Sequence, residues 1–133
     1  MKKILLSLTV ATLMASPAAI AQNLRVDGVD GSFKTFQEAV NAIESEGTIV
    51  VLRDFTAVPA KKADNKNENA ALLVGDKKIT VKGEGHNINF ATFFMFNLLD
   101  VKGSLTVDNL TLTYTADKPS NRGAINVGRG SLF

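Results

Sequence analysis

The only histidine of the chain, His86, sits in the run Gly83-Glu84-Gly85-His86. An imidazole titrates near neutral pH and can carry a proton. In a glycine-rich turn, the expected role is a solvent-facing turn residue. One histidine and no cysteine leave a His/Cys zinc site without donors. The run Gly123–Ser131 echoes a phosphate loop, but it lacks the lysine that reaches phosphate and puts Gly130 before the serine, so that reading is rejected. Asn109-Leu110-Thr111 is a formal glycosylation sequon, although a bend asparagine explains it better. Phe93-Phe94-Met95-Phe96, followed by Leu98-Leu99, is the most apolar tract after the N-terminus. Such a tract could stack on sugars or touch a membrane. Aromatic packing in the interior is the expected use, because side chains of this type are usually buried.

These residues stand on a chain with an export signal. Lys2 and Lys3 form a basic start, Ile4–Ala15 is an apolar run of 12 residues, and Ala19-Ile20-Ala21 has small residues at a cleavage spacing. The pattern predicts a secretory signal peptide over residues 1–21 and a mature chain from Gln22. The apolar run is too short to span a bilayer, and no membrane span is expected in the mature chain. The whole sequence carries 15 basic and 13 acidic residues, and loss of Lys2 and Lys3 leaves a net charge of zero. A basic surface for nucleic acid or anionic lipid is therefore not expected. The mature 112 residues, left when 21 are removed from 133, suffice for one domain, 22–133. With no disulfide available, its stability must come from packing and backbone hydrogen bonds.

Gln22–Gly31 is polar, with turn signals at Asp27-Gly28 and Asp30-Gly31. Thr35 and Glu38 have capping-box spacing, and Phe36, Ala39, Val40 and Ile43 recur at helical spacing. These predict a short amphipathic helix over Thr35–Ile43, closed by Gly47 in a left-handed conformation. Thr48–Leu52 is a β-branched run of the buried parallel type. Pro59–Asn69 reads as a solvated polar insertion. Further strands are expected at Ala71–Val74, Lys78–Lys82, Asn87–Phe90, Phe93–Asn97, Ser104–Val107, Leu110–Tyr114, Ala124–Val127 and Ser131–Phe133.

These strands repeat. Ile79-Thr80-Val81 returns as Leu105-Thr106-Val107 after 26 residues, and Gly103-Ser104-Leu105 returns as Gly130-Ser131-Leu132 after 27. Leu73, Leu99 and Ile125 are spaced by 26 and 26, and Val74, Val101 and Val127 by 27 and 26. A period of this size on short strands implies stacked coils, with equivalent side chains in rows. One row should hold Leu73, Leu99 and Ile125, and another Ile79 and Leu105. Asn109 and Gly83, 26 apart, should occupy matching bends of positive φ.

The stretch Ser32–Ile43 followed by Gly47-Thr48-Ile49-Val50-Val51, together with Val107-Asp108-Asn109-Leu110-Thr111-Leu112, resembles right-handed parallel β-helix proteins of the pectate-lyase-like superfamily. The resemblance implies a helix capping the first coil, then strand–bend–strand coils. Arg122-Gly123-Ala124-Ile125 and Phe94-Met95-Phe96-Asn97 are similar to bacterial polymorphic outer-membrane and adhesin-type repeats, with Arg122 in place of the first glycine.

Lyases of the pectate-lyase-like superfamily hold calcium with acidic side chains and use a basic residue to abstract a proton, so calcium is the one cofactor the resemblance raises. Glu84 and Asp108, and likewise Asp76 and Asp100, are pairs spaced by 24 near bends, while Lys82, Arg122 and Arg129 are the available bases. Calcium needs several converging oxygens, and these residues form no recognisable cluster. No catalytic, cofactor or metal residue is assigned.

The expectation is a mainly β chain: a short N-terminal capping helix, then about three coils of a right-handed parallel β-helix. Ser131-Leu132-Phe133 ends in mid-strand without a polar cap. The chain is therefore expected to be the N-terminal part of a longer protein, or its open coil to pair with another chain. The expected function is a secreted, periplasmic or outer-surface binding module, adhesin-like and non-enzymatic, for glycans or a host or cell-surface protein. The alternative is the N-terminal part of a polysaccharide lyase or glycoside hydrolase of the same fold.

Overall fold

A computed structural model describes residues 22–118 and 123–133. The expected signal peptide (1–21) and Arg122 lie outside the described residues.

The mature chain is mainly β. β1 (Leu24–Val26) leads to α1 (Phe36–Asn41), and ten strands follow: β2 (Glu46–Val51), β3 (Phe55–Thr56), β4 (Ala70–Leu73), β5 (Lys78–Lys82), β6 (Asn87–Phe90), β7 (Phe94–Leu98), β8 (Ser104–Asp108), β9 (Thr111–Tyr114), β10 (Ile125–Val127) and β11 (Ser131–Leu132). They form three sheets, ordered β1-β2-β5-β8-β11, β4-β7-β10 and β3-β6-β9. From β2 onward the chain visits the three sheets in a fixed cycle. Each return adds a strand parallel to its predecessor, so that β5 lies on β2, β6 on β3 and β7 on β4. The single antiparallel pairing among the named strands joins β1 to β2, with Leu24 opposite Val51.

Two of the expected repeats are matched by the register. Ile79, Thr80 and Val81 lie beside Leu105, Thr106 and Val107, and Ser104-Leu105 lies beside Ser131-Leu132. The other rows are corrected. Leu73 lies beside Asn97, and the apolar row is Leu72, Phe96 and Ile125. Val127 lies beside Leu98, while Leu99 and Val101 are exposed beyond the end of β7. The cause is uneven bends. Two residues, Asn109 and Leu110, separate β8 from β9, whereas four, Gly83–His86, separate β5 from β6. Likewise β6 and β7 are parted by three residues and β9 and β10 by ten. A constant period of 26 therefore holds in the first sheet and slips in the second.

Alternation along the strands turns one face inward. Ile49, Leu72, Val74, Ile79, Val81, Ile88, Met95, Phe96, Leu98 and Leu105 are buried. The aromatic tract is thus largely interior, with Leu99 the exception. α1 closes one end of this core. Thr35 Oγ1 accepts from the Glu38 N–H and Glu38 Oε1 accepts from the Thr35 N–H, completing the expected capping box. The helix lays Phe36, Ala39 and Val40 inward, and the Phe36 ring meets Phe96 edge-on at 5.7 Å and Phe55 at 5.8 Å. Lys77 Nζ donates to the Val40 carbonyl near the helix C-terminus (2.9 Å), where a cation suits the dipole.

Two glycines differ from expectation. Gly47 lies within β2 rather than in a left-handed cap, and the C-cap is Ala42. A Cβ on Gly47 would fall 2.9 Å from Ile43 Cγ1, so the residue is small to admit Ile43. At the bends, Asn109 has the expected positive φ (52°), but one coil earlier that conformation belongs to Glu84 (54°) and Gly85 (79°). Gly83 instead touches backbone, since a Cβ there would sit 2.3 Å from the Asn109 carbonyl oxygen. β1 and β3 escape the sequence reading because each is only two or three residues long.

Candidate functional site

The acidic residues at the bends do not converge. Lys82 and Asp108 are neighbours across the β5–β8 register and both are exposed. Asp100 Oδ1 accepts from the Lys102 N–H (2.8 Å), a turn-forming role. Among the described residues, no three His, Asp or Glu side chains come together as ligands for a metal ion. Arg129 is exposed beside the Leu98 carbonyl, to which its backbone N–H donates.

His86 has a partner that its spacing does not announce. Its Nδ1 lies 3.1 Å from Asp54 Oδ1, and the same oxygen accepts from the Asn87 N–H at 2.9 Å. The Asn87 N–H chiefly, and His86 next, hold the Asp54 carboxyl below its ordinary value by stabilising the anion. His86 is partly shielded and Asp54 largely exposed. The pair ties the chain just before β3 to the start of β6, so its evident work is structural.

The polar insertion is more organised than expected. Its side chains are solvated, but its backbone closes into a hairpin. Glu68 N–H donates to the Ala60 carbonyl and Ala60 N–H to the Ala70 carbonyl, both at 2.8 Å. Lys61 faces Asn67 in an isolated antiparallel bridge. At the tip, Lys62 N–H donates to Lys66 O (2.8 Å), Asp64 Oδ1 accepts from the Lys66 N–H (3.0 Å), and Asn65 takes a positive φ of 67°. Asn tolerates that conformation at low cost.

Between this hairpin and the second sheet runs an open groove of about 610 Å³, lined by Lys62, Asn67, Glu68, Asn69, Leu73 and Leu99. Asn97, also at its wall, is the one polar residue among those described as buried, at 2% exposure. Its place beside Leu73 puts it on the sheet face opposite Leu72 and Phe96. A line of side-chain amides crosses that face. Asn126 Nδ2 donates to Asn97 Oδ1 (2.8 Å), and Asn97 Nδ2 donates to Asn69 Oδ1 (3.2 Å). A buried amide is costly unless bonded, and both ends of Asn97 are bonded. The intervals from Asn69 to Asn97 to Asn126 are 28 and 29 residues, outside the 26-residue period that sequence reading follows. A smaller groove of about 550 Å³ lies on the other side of the hairpin, against Gln37 and Glu38.

No helix among the described residues is long and apolar enough to cross a membrane. Comparison with known proteins adds no identity, for no family model, curated protein or solved structure matches the chain.

Proposed function

We propose that this chain is the capped first part of a right-handed parallel β-helix of the pectate-lyase-like type, exported by residues 1–21, and that it acts as a non-enzymatic, adhesin-like binding module. The fixed cycle of three parallel sheets carries this reading. A chain built this way offers long lateral faces to a partner and keeps its apolar side chains inside. The scattered carboxylates and bases favour binding over turnover, since catalysis needs groups held within reach of one reacting centre. The partner is a glycan or a protein of a host or cell surface. The edge formed by β9, β10 and β11 accepts further parallel strands from another segment.

The test uses the full chain on immobilised glycans and surface proteins, alongside acidic polysaccharides with calcium. Saturable binding without products supports the module. Appearance of unsaturated sugar, read by ultraviolet absorbance, overturns it in favour of a lyase.

A further inference from the structure

We infer that the groove between the 59–69 hairpin and the second sheet is a binding site for a neutral oligosaccharide. The inference rests on the binding-module reading and adds to it a location and a ligand class. Its ground is the way two exposed amides are oriented. Asn67 Oδ1 is occupied by Lys61 Nζ, and Asn69 Oδ1 by Asn97 Nδ2. With both oxygens engaged, the NH2 groups of Asn67 and Asn69 remain as donors at the groove, two residues apart on the hairpin's returning arm. Asn69 is not free to flip, because the bonded chain from Asn126 through Asn97 presents it with a donor. Between the two amides, Glu68 supplies an acceptor-only carboxylate, and Lys62 a further donor.

This mixture matches a sugar. Vicinal hydroxyls both donate and accept, so they need donors and an acceptor side by side. A phosphate or sulfate would meet the Glu68 carboxylate unfavourably, whereas Lys62 and Glu68 together leave the groove neutral. Leu73 and the exposed Leu99 add an apolar wall for the C–H face of a ring. The hairpin's own hydrogen bonds hold these groups in place before any ligand arrives, which lowers the ordering cost of binding.

The test titrates the full chain with cello-, xylo-, manno- and malto-hexaose, followed by amide NMR shifts and calorimetry. One of them should bind saturably, with shifts centred on Asn67, Asn69 and Leu99. The double variant Asn67→Ala/Glu68→Gln changes exposed or half-exposed side chains, so it should keep the wild-type melting temperature while binding about tenfold more weakly. A ligand bound equally well by wild type and double variant would place the site elsewhere and overturn the inference while leaving the module standing. Binding of acidic oligosaccharides alone would overturn the neutral class. Silence with all four hexaoses overturns the groove as a neutral-sugar site. The module reading is then decided separately by the surface proteins and acidic glycans of the broader panel.

Discussion

The two ends of the strand stack are built differently. At the first end, β1 runs antiparallel to β2, and its outer edge is met by Phe33 through paired backbone bonds of 2.7 and 2.9 Å to Leu24. α1 covers the apolar floor with Phe36, which is 2% exposed. At the far end, β9, β10 and β11 are the last strands of their sheets. Burial falls away along each row: Leu105 is fully buried but Leu132 is 42% exposed, Leu98 is fully buried but Val127 is 44% exposed, and Phe133 is 73% exposed. The contrast shows what terminates a parallel stack. A reversed strand breaks the register that another coil would continue, and a helix supplies apolar cover while satisfying its own backbone. The far end has neither device among its described residues.

The sharpest way to break this comparison is to remove one apolar side chain from each end. Phe36→Ala should cost about 3–5 kcal/mol, since it empties a site enclosed by Phe55 and Phe96. Leu132→Ala should cost below about 1 kcal/mol, because much of that side chain is already in water. Urea unfolding followed by circular dichroism measures both. Equal losses would mean that the ends are equally closed in solution.

Hydrogen exchange sharpens the same contrast without substitutions. Amides of Ile49 and Val81, bonded between two strands on the buried side, should exchange only through global opening. Amides of β10 and β11 should exchange at least ~100-fold faster, an opening free energy lower by about 2.7 kcal/mol. Uniform protection would show that the far end is covered. A smaller effect isolates the helix itself. Thr35→Ala removes the oxygen that accepts from the Glu38 N–H and should cost about 1 kcal/mol. Thr35→Ser should recover most of it.

The closed end was largely legible in the sequence, and the reason is locality. Thr35 and Glu38 cap the helix that Phe36, Ala39 and Val40 anchor, all within six residues. The first-sheet rows were legible because the coil between β5 and β8 keeps its 26-residue length. The second-sheet rows were not, because bends of unequal length shift Leu99 off the row of Leu73 without changing either residue's character. The groove was less legible still. Its hairpin is held by backbone bonds that polar composition does not reveal, and its amides meet across sheets at intervals set by those same uneven bends. Asp54 and His86 are 32 residues apart, and only the pairing of β3 with β6 brings them together.

That last pair gives the most delicate test, because its effect is a titration rather than a collapse. Asp54 is held below its ordinary value first by the Asn87 N–H and second by His86. A carboxyl depressed in the folded chain adds stability above its unfolded pKa, and that stability is lost as pH falls through the folded value. His86→Ala should therefore raise the Asp54 pKa only part of the way, since the larger cause stays in place. Asp54→Asn should remove the acid dependence that this group contributes. Carbon-detected NMR titration of the Asp54 carboxyl in wild type and His86→Ala reads the first effect directly. A full return to the ordinary aspartate value in His86→Ala would reverse the order of causes and make the imidazole the principal anchor of β3 to β6. No movement at all would leave the backbone N–H as the sole cause and reduce His86 to the solvated turn residue its sequence context suggests.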